Sequence, residues 1–170
     1  MNITFYICAV IAVVSTLRVI TGVNAVHSLL YFIVSLLATG LVFFVLGAPF
    51  AAALVVIVNA GAIMVLFVFV IMMLNLGSHT TEQERSWLRP QMWAGPTILA
   101  AILFIELIYA LVSFHSAGHD AQVVTAKDVG VALFGPYLLG VELASMLLLA
   151  GLMGAYHLGR TTGPKEGEKD

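Results

Sequence analysis

Residues 50–76 read FAAALVVIVNAGAIMVLFVFVIMMLNL and contain no charged side chain. The hydrocarbon core of a bilayer is about 30 Å thick, and an α-helix that rises about 1.5 Å per residue crosses it with about 20 apolar residues. This run therefore predicts a membrane-spanning helix. Four further runs share the property, at about residues 3–20, 26–46, 92–114 and 131–157. The predicted fold is an all-α membrane protein, a bundle of five transmembrane helices.

The composition excludes an ordinary soluble domain. Of 170 residues, 61% are hydrophobic and 9% are charged, whereas soluble domains are about 45 to 50% apolar and about 25% charged. The single cysteine, Cys8, excludes a disulfide framework and argues against an iron-sulfur site. A net charge of -2 leaves no basic surface for nucleic acid. We expect the lipid bilayer as a partner, no nucleic acid, and no metal.

The connections between the runs indicate the domain organisation. The second and third spans are joined by residues 47–49 alone, so we expect antiparallel neighbouring helices. Residues 78–91 form a charged hydrophilic loop, and the chain after Arg160 is polar and glycine-bearing. We therefore predict one five-helix transmembrane domain over residues 1–160 and a disordered tail over residues 161–170.

The distribution of basic residues predicts the orientation. If five helices alternate in direction, six of the seven Lys and Arg side chains lie near one surface and Lys127 near the other. The positive-inside rule then places the N-terminus in the periplasm and the C-terminus in the cytoplasm. The six basic residues on the predicted cytoplasmic side are Arg18, Arg85, Arg89, Arg160, Lys165 and Lys169.

Three polar side chains fall deep within the predicted spans. Counted from the outer ends of their spans at about 1.5 Å per residue, Glu106 and Glu142 lie about 12 to 17 Å below the surface. Asn59, in the third span, reaches a similar depth by the same count. We expect these three side chains, together with Ser35 of the second span, to share one layer near mid-membrane.

The two acids can be interpreted in two ways. A charge at the bilayer centre costs about 2.5 to 3.5 kcal/mol on insertion scales, so such a group faces a partner or water, or stays neutral. A carboxyl group poised between charged and neutral forms suits a proton relay. A carboxyl group that only bonds neighbouring helices together suits static packing. The residue types leave both interpretations open for Glu106 and for Glu142.

The third span contains a weak patch, Asn59, Ala60, Gly61 and Ala62. Glycine within a helix costs about 1 kcal/mol relative to alanine. A kink or a one-residue π-bulge can form there, since irregular backbone at this depth persists against protein or water. A close helix crossing without a bulge is the alternative.

The last span carries a stripe of small residues, Gly140, Ala144, Gly151 and Ala155. Such stripes let neighbouring helices approach closely in lipid. Glu142 lies about 200° around the helix from Gly140 and so faces the other side. A helix that packs on one face and buries an acid on the other needs neighbours on both, which predicts partner subunits.

Several strings resemble subunit J of bacterial respiratory complex I, the proton-pumping NADH:quinone oxidoreductase. The resemblance covers about residues 5–160. The strings that carry it are TLRVIT at residues 16–21, AGAIMVLFVFV at 60–70, MMLNL at 72–76, EQER at 82–85, LFGPY at 133–137 and VELASMLLL at 141–149.

The family resemblance implies a multi-pass subunit of the bacterial inner membrane that helps couple quinone reduction by NADH to proton translocation. Its partners would be the quinone-module and antiporter-like membrane subunits. This chain would hold no cofactor and no catalytic centre, because FMN, iron-sulfur clusters, NADH and quinone are held by other subunits. Any enzyme label would then belong to the assembly. The alternative is a structural or assembly subunit of the same complex.

In that family the third helix carries a π-bulge that is proposed to form and relax, and so to gate a hydrated proton path. The positions that match it here are Gly61, Ala62, Ile63 and Met64, and the matching acid of the last helix is Glu142.

The sequence departs from the family pattern at three positions. Val55 stands where the family usually has an acid, Asn59 where it has a tyrosine, and Ala25 where it has a proline. Conversely, the pattern does not include an acid at Glu106. We hypothesise that Glu106 and Asn59 substitute for the missing acid and phenol in the proton path.

Overall fold

A computed structural model describes residues 3–22, 24–73, 90–116 and 123–160. Five of its helical stretches are long and apolar enough to cross a membrane. The predicted all-α architecture is therefore confirmed. The elements are α1 (Ile3–Thr21), α2 (Ala25–Val45), α3 (Pro49–Leu54), a π-helix (Val55–Ile63), α4 (Met64–Met73), α5 (Pro90–Ser116), α6 (Ala126–Phe134) and α7 (Leu138–Gly159).

The chain divides into two compact units, Met1–Ala126 and Lys127–Asp170. The first unit contains α1 to α5, with the π-helix between α3 and α4. The second contains α7 and nearly all of α6. The single five-helix domain stays a prediction, and both the tail over residues 161–170 and nearly all of the charged loop lie outside the described residues.

The core of the first unit lies where α1, α2 and α5 meet. The α1 and α2 helices form an antiparallel hairpin, and α2 begins at a capped end, where the side-chain oxygen of Asn24 accepts a hydrogen bond from the backbone N–H of His27 at 3.1 Å. Apolar side chains from the three helices then pack together, because each helix turns a stripe inward. The buried members are Cys8, Ile11, Val34, Ala38, Leu41, Leu103 and Ala110.

A tight turn sends the chain from α2 into α3. Gly47 has a φ of 82°, a left-handed conformation that favours glycine. Pro49 follows as the first helical residue, where its missing N–H costs no hydrogen bond. As the short connection predicts, α3 packs against α2.

The third spanning helix is a π-helix for nine residues, Val55–Ile63. Its end is defined by the backbone N–H of Met64, which bonds to the carbonyl of Asn59 five residues back. The predicted π-bulge is therefore confirmed. It begins six residues before Gly61 and ends one residue before Met64.

Gly40 of α2 sits against the start of the π-helix. A Cβ atom added at Gly40 would lie 3.1 Å from Cγ2 of Val56 and 3.6 Å from the carbonyl oxygen of Ala52. Glycine therefore lets α2 approach the third helix where the hydrogen-bond pattern changes. Met64, just beyond the π-helix, is only 1% exposed.

The predicted fifth span over residues 131–157 is wrong at its start. The structure ends α6 at Phe134 and begins α7 at Leu138. Between them Pro136 has no N–H to donate, and it disfavours helical geometry at the preceding Gly135. The N–H of Tyr137 bonds back to the carbonyl of Ala132 at 3.1 Å, which closes the turn. The spanning helix is thus shorter than predicted.

The contact at Gly40 predicts an asymmetric response to alanine. Gly40→Ala and Gly61→Ala share the helix-propensity gain of about 1 kcal/mol. Only Gly40→Ala forces Val56 to move, because a Cβ at Gly61 would lie 3.6 Å from its nearest neighbour, the Val56 carbonyl oxygen. We expect Gly40→Ala to unfold at a lower temperature in detergent than Gly61→Ala.

Val56→Ala provides the control for this prediction. It removes the methyl group that the new Cβ would meet, so the double variant should recover the lost stability, with a coupling energy of about 0.5 to 3 kcal/mol. If both glycine variants had equal thermal unfolding midpoints and Gly40→Ala showed no coupling energy with Val56→Ala, the contact between Gly40 and Val56 would be contradicted.

Candidate functional site

The predicted gating residues occupy the end of the π-helix and the residue after it. Asn59 is half-buried, and its backbone carbonyl accepts the bond from Met64 that ends the π-helix. The residues Gly61, Ala62 and Ile63 are exposed, whereas Met64 is buried. A turn closed by i→i−5 bonds contains one residue more than an α-turn. One extra residue rotates the side chains of the helix that follows by about 100° around its axis. The π-helix therefore sets which face of α4, Met64 included, packs against α2.

Glu106 lies on the inward face of α5. Leu103 and Ala110, three residues before it and four after, both belong to the buried core, and residues at this spacing share one helix face. The Glu106 side chain is itself half-buried. It also lies within electrostatic range of the Cys8 thiol on α1. The prediction that this acid turns towards other helices agrees with its place on this face.

Ser35 bonds across the α1–α2 interface. Its hydroxyl donates to that of Thr16 at 2.8 Å, and Thr16 in turn donates to the carbonyl of Ala12 in its own helix at 2.8 Å. Thr39, one turn along α2, donates to the carbonyl of Ser35 at 2.9 Å. These hydrogen bonds satisfy hydroxyl groups that lipid could not satisfy.

Glu106 and Asn59 lie on different elements of the first unit. The helix of Glu106 packs on α1 and α2, whereas the π-helix packs on α2. Gly40 faces Ala52 and Val56, so Asn59 lies near the level of Ser35, five residues before Gly40 on the antiparallel helix. Within the described ranges no hydrogen bond joins the Asn59 and Glu106 side chains. Their common role stays a prediction, and α2 is the helix that both elements share.

Glu142 lies nearer the start of its helix than the predicted span implies. It is four residues after Leu138, the first residue of α7, which at about 1.5 Å per residue is about 6 Å along the helix. The mid-membrane estimate counted from residue 131 and therefore included the turn at Gly135 and Pro136. The Glu142 side chain is exposed, and no residue of α7 is buried. The layer that Glu142 shares with Asn59, Glu106 and Ser35 stays a prediction.

The sequence interpretation missed the buried face of α1. Thr4, Cys8, Ile11 and Ser15 are all buried, and they recur at intervals of four, three and four residues. That spacing is the signal of one helix face. The spacing was overlooked because three of the four side chains are small and do not stand out within an apolar span.

Comparisons with known proteins agree on one family. The sequence family described as NADH-ubiquinone/plastoquinone oxidoreductase chain 6 matches residues 15–158. The chain belongs to this family. NADH-quinone oxidoreductase subunit J of Escherichia coli K12 is 61% identical over 160 residues, which cover 94% of this chain and 87% of the relative. Subunit J of Pseudomonas aeruginosa is 62% identical over 161 residues, 94% of this chain and 97% of the relative.

More distant subunit J proteins match over the same length. That of Buchnera aphidicola subsp. Schizaphis graminum is 51% identical over 160 residues, 94% of this chain and 98% of the relative. The predicted resemblance to subunit J is confirmed. Because the relatives are named as subunits of an oxidoreductase, the prediction that any enzyme label belongs to an assembly is confirmed as well.

The bond between Ser35 and Thr16 predicts a measurable contribution to stability. Ser35→Ala removes one hydroxyl and leaves another in the interface, and interhelical bonds in membranes contribute about 0.6 kcal/mol on average and at most about 1.7. We expect a lower thermal midpoint in detergent.

Ser145→Ala is the matched control for Ser35→Ala. The Ser145 hydroxyl is exposed and bonds at 2.9 Å to the carbonyl of Val141 in its own helix, so its loss should leave the midpoint unchanged. Equal effects of the two variants would contradict an interhelical role for Ser35.

Proposed function

We propose that this chain is a membrane subunit of NADH-quinone oxidoreductase that helps couple quinone reduction to proton translocation. The observation that supports this most directly is the π-helix over Val55–Ile63, in the middle of a membrane-spanning stretch. An α-helix would satisfy the same backbone groups with four-residue spacing, so two hydrogen-bond patterns compete for one segment. A segment that can adopt either hydrogen-bond pattern can switch between two conformations, as a gate must.

Relaxation of the π-helix would have a defined mechanical result. Removing the i→i−5 pattern would turn α4 relative to α3 and move Met64 out of its buried place. It would also change the contact between Val56 and Gly40. Irregular backbone at this depth persists only against protein or water. The same rotation would therefore open or close a path for water near Asn59. Gly61, Ala62 and Ile63 form the part of the segment that we assign to gating with Met64.

Glu106 supplies the titratable group of the proposed path. Among the described spanning helices of the first unit, it is the one acid. Its half-buried place on the inward face of α5 keeps the carboxyl group among other helices, where water that enters can reach it. We assign the sensing of that water to Asn59 and Glu106, and we place Glu142 at the outer entrance, near the start of α7.

The proposed assembly follows from the family. The relatives are subunits of NADH-quinone oxidoreductase, and we propose that this chain packs beside quinone-module and antiporter-like membrane subunits. FMN, iron-sulfur clusters, NADH and quinone would be held by those and other subunits, with no cofactor in this chain. We propose a multi-pass place in the bacterial inner membrane, with the N-terminus periplasmic and the C-terminus cytoplasmic.

A structural or assembly subunit is the second candidate function. The hydroxyl bond between Ser35 and Thr16 favours it, because that bond fastens α1 to α2 and moves no proton. On this alternative Glu106 and Glu142 would bond neighbouring helices and nothing more.

Charge removal at Glu106 separates the two functions. Glu106→Gln keeps the size and hydrogen-bonding capacity of the side chain but cannot exchange a proton. We expect assembled complexes with this variant to reduce quinone with fewer protons moved per electron. The measurement is proton uptake against NADH oxidation in inverted vesicles.

Two further variants complete the experiment. Glu106→Asp retains a carboxyl group and should restore most of the proton-to-electron ratio. Glu142→Gln removes an acid near the start of α7 and should lower the ratio less than Glu106→Gln. An unchanged ratio in a normally assembled Glu106→Gln complex would favour the structural subunit.

A further inference from the structure

The α6 helix is too short to cross a membrane, and the helix that follows it is long enough to cross alone. The nine residues of α6 rise about 13.5 Å at about 1.5 Å per residue, less than half the thickness of a hydrocarbon core, about 30 Å. The 22 residues of α7 rise about 33 Å and account for a full crossing. The α6 helix is therefore left at the surface where α7 begins.

The connection between α6 and α7 is a sharp bend. The N–H of Tyr137 bonds to the carbonyl of Ala132 at 3.1 Å, and that of Leu138 bonds to the carbonyl of Gly135 at 3.2 Å. A Cβ atom added at Gly135 would lie 2.7 Å from the carbonyl oxygen of Val131, so only glycine lets the chain turn this tightly. Tyr137 is 66% exposed, and tyrosine side chains concentrate at the level of the lipid headgroups. These features are typical of a bend at the lipid–water interface.

A backbone hydrogen bond holds the other end of α6 at a membrane surface. Val124, two residues before α6, donates its N–H to the carbonyl of Gly47 at 2.8 Å. Gly47 lies in the turn between α2 and the third spanning helix. Such a turn lies at a membrane surface, because irregular backbone exposed to lipid does not occur within the hydrocarbon core. The chain therefore enters α6 at a surface.

The residues of α6 divide into an apolar side and a charged side. Lys127 and Asp128 are exposed, and at about 100° per residue they lie about 90° and about 170° around the helix from the centre of the apolar side. The apolar residues recur at the three- and four-residue spacing of one helix face. We name this set the α6 apolar face, and its members are Ala126, Val129, Gly130, Leu133 and Phe134.

We propose that α6 lies along the lipid–water interface and binds the membrane through the α6 apolar face. Leu133 and Phe134 insert among the acyl chains just below the headgroups, and Asp128 faces water. The Lys127 ammonium group, at the edge of the face, reaches the lipid phosphates. Lipid is the occupant because the turn at Gly47 and the bend before α7 keep this face at the level where acyl chains begin. The inference does not depend on proton coupling.

Two cysteine variants, two residues apart, test which side of α6 is covered. Val131 lies away from the α6 apolar face and is 63% exposed, and Leu133 lies on the face and is 42% exposed, so the chain alone predicts similar reactivity. Each assembled complex, in lipid nanodiscs, is treated with a water-soluble sulfonated maleimide, and modification of this chain is followed by mass spectrometry. We expect Val131→Cys to react at least about tenfold faster than Leu133→Cys, because lipid excludes the reagent and suppresses the thiolate. The native Cys8, fully buried, is the reference for an inaccessible thiol.

A lipid crosslinker, used with the unaltered chain, separates lipid from a partner protein. The nanodiscs contain phosphatidylcholine with a diazirine near the glycerol end of one acyl chain, and mass spectrometry locates the adducts after illumination. We expect adducts on the α6 apolar face, at Leu133 and Phe134 above all. Slow reaction of Leu133→Cys without a lipid adduct in α6 would mean that a partner subunit covers the face, and would overturn the proposal. Equal or reversed maleimide rates at the two positions would also overturn it, because α6 would then stand in water.

Discussion

The backbone of a lipid-embedded helix must satisfy its own hydrogen bonds, and this constraint governs the third spanning helix. In the bilayer core no water replaces a lost bond, so a change of pattern must pass from one closed set of bonds to another. Val55 keeps the α pattern at one end, because its N–H donates to the carbonyls of Ala51 and Ala52, four and three residues back. Met64 closes the other end by bonding to Asn59.

The α2 helix is the element on which the rest of the first unit packs. It contacts α1, α3, the π-helix, α4 and α5. Its polar residue Ser35 bonds to α1, and its glycine, Gly40, meets the third helix. The π-helix and the acid of α5 are therefore joined through one shared neighbour. A movement of Val56 at Gly40 is a route by which a change in one can reach the other.

Much of the fold follows from the sequence because lipid imposes a simple rule of length and polarity. Runs of about 20 apolar residues predicted five spans, and the weak patch at Asn59 and Gly61 predicted the π-helix. The start of the last span was wrong because hydropathy averages over Gly135 and Pro136, although the backbone chemistry of that pair marks a turn. The position of Glu142 within its helix differs from the prediction for the same reason.

Side-chain neighbours were harder to predict than spans. A depth count places residues along a helix axis but says nothing of which helices touch, so Glu106 was paired with Asn59 when its own helix packs on α1 and α2. The buried hydroxyl of Ser15, which has no hydrogen-bond partner among the described residues, also needed coordinates. In sequence it looks the same as a hydroxyl that bonds to its own helix.

The account depends most on the hydrogen-bond pattern between Val55 and Met64. An experimental density map of the assembled complex, sharp enough to resolve backbone carbonyls, measures it directly. The account predicts that the N–H of Met64 points to the carbonyl of Asn59, with Val56 against Gly40. A bond from Met64 to the carbonyl of Ala60, within an unbroken α-helix over residues 55–63, would contradict it.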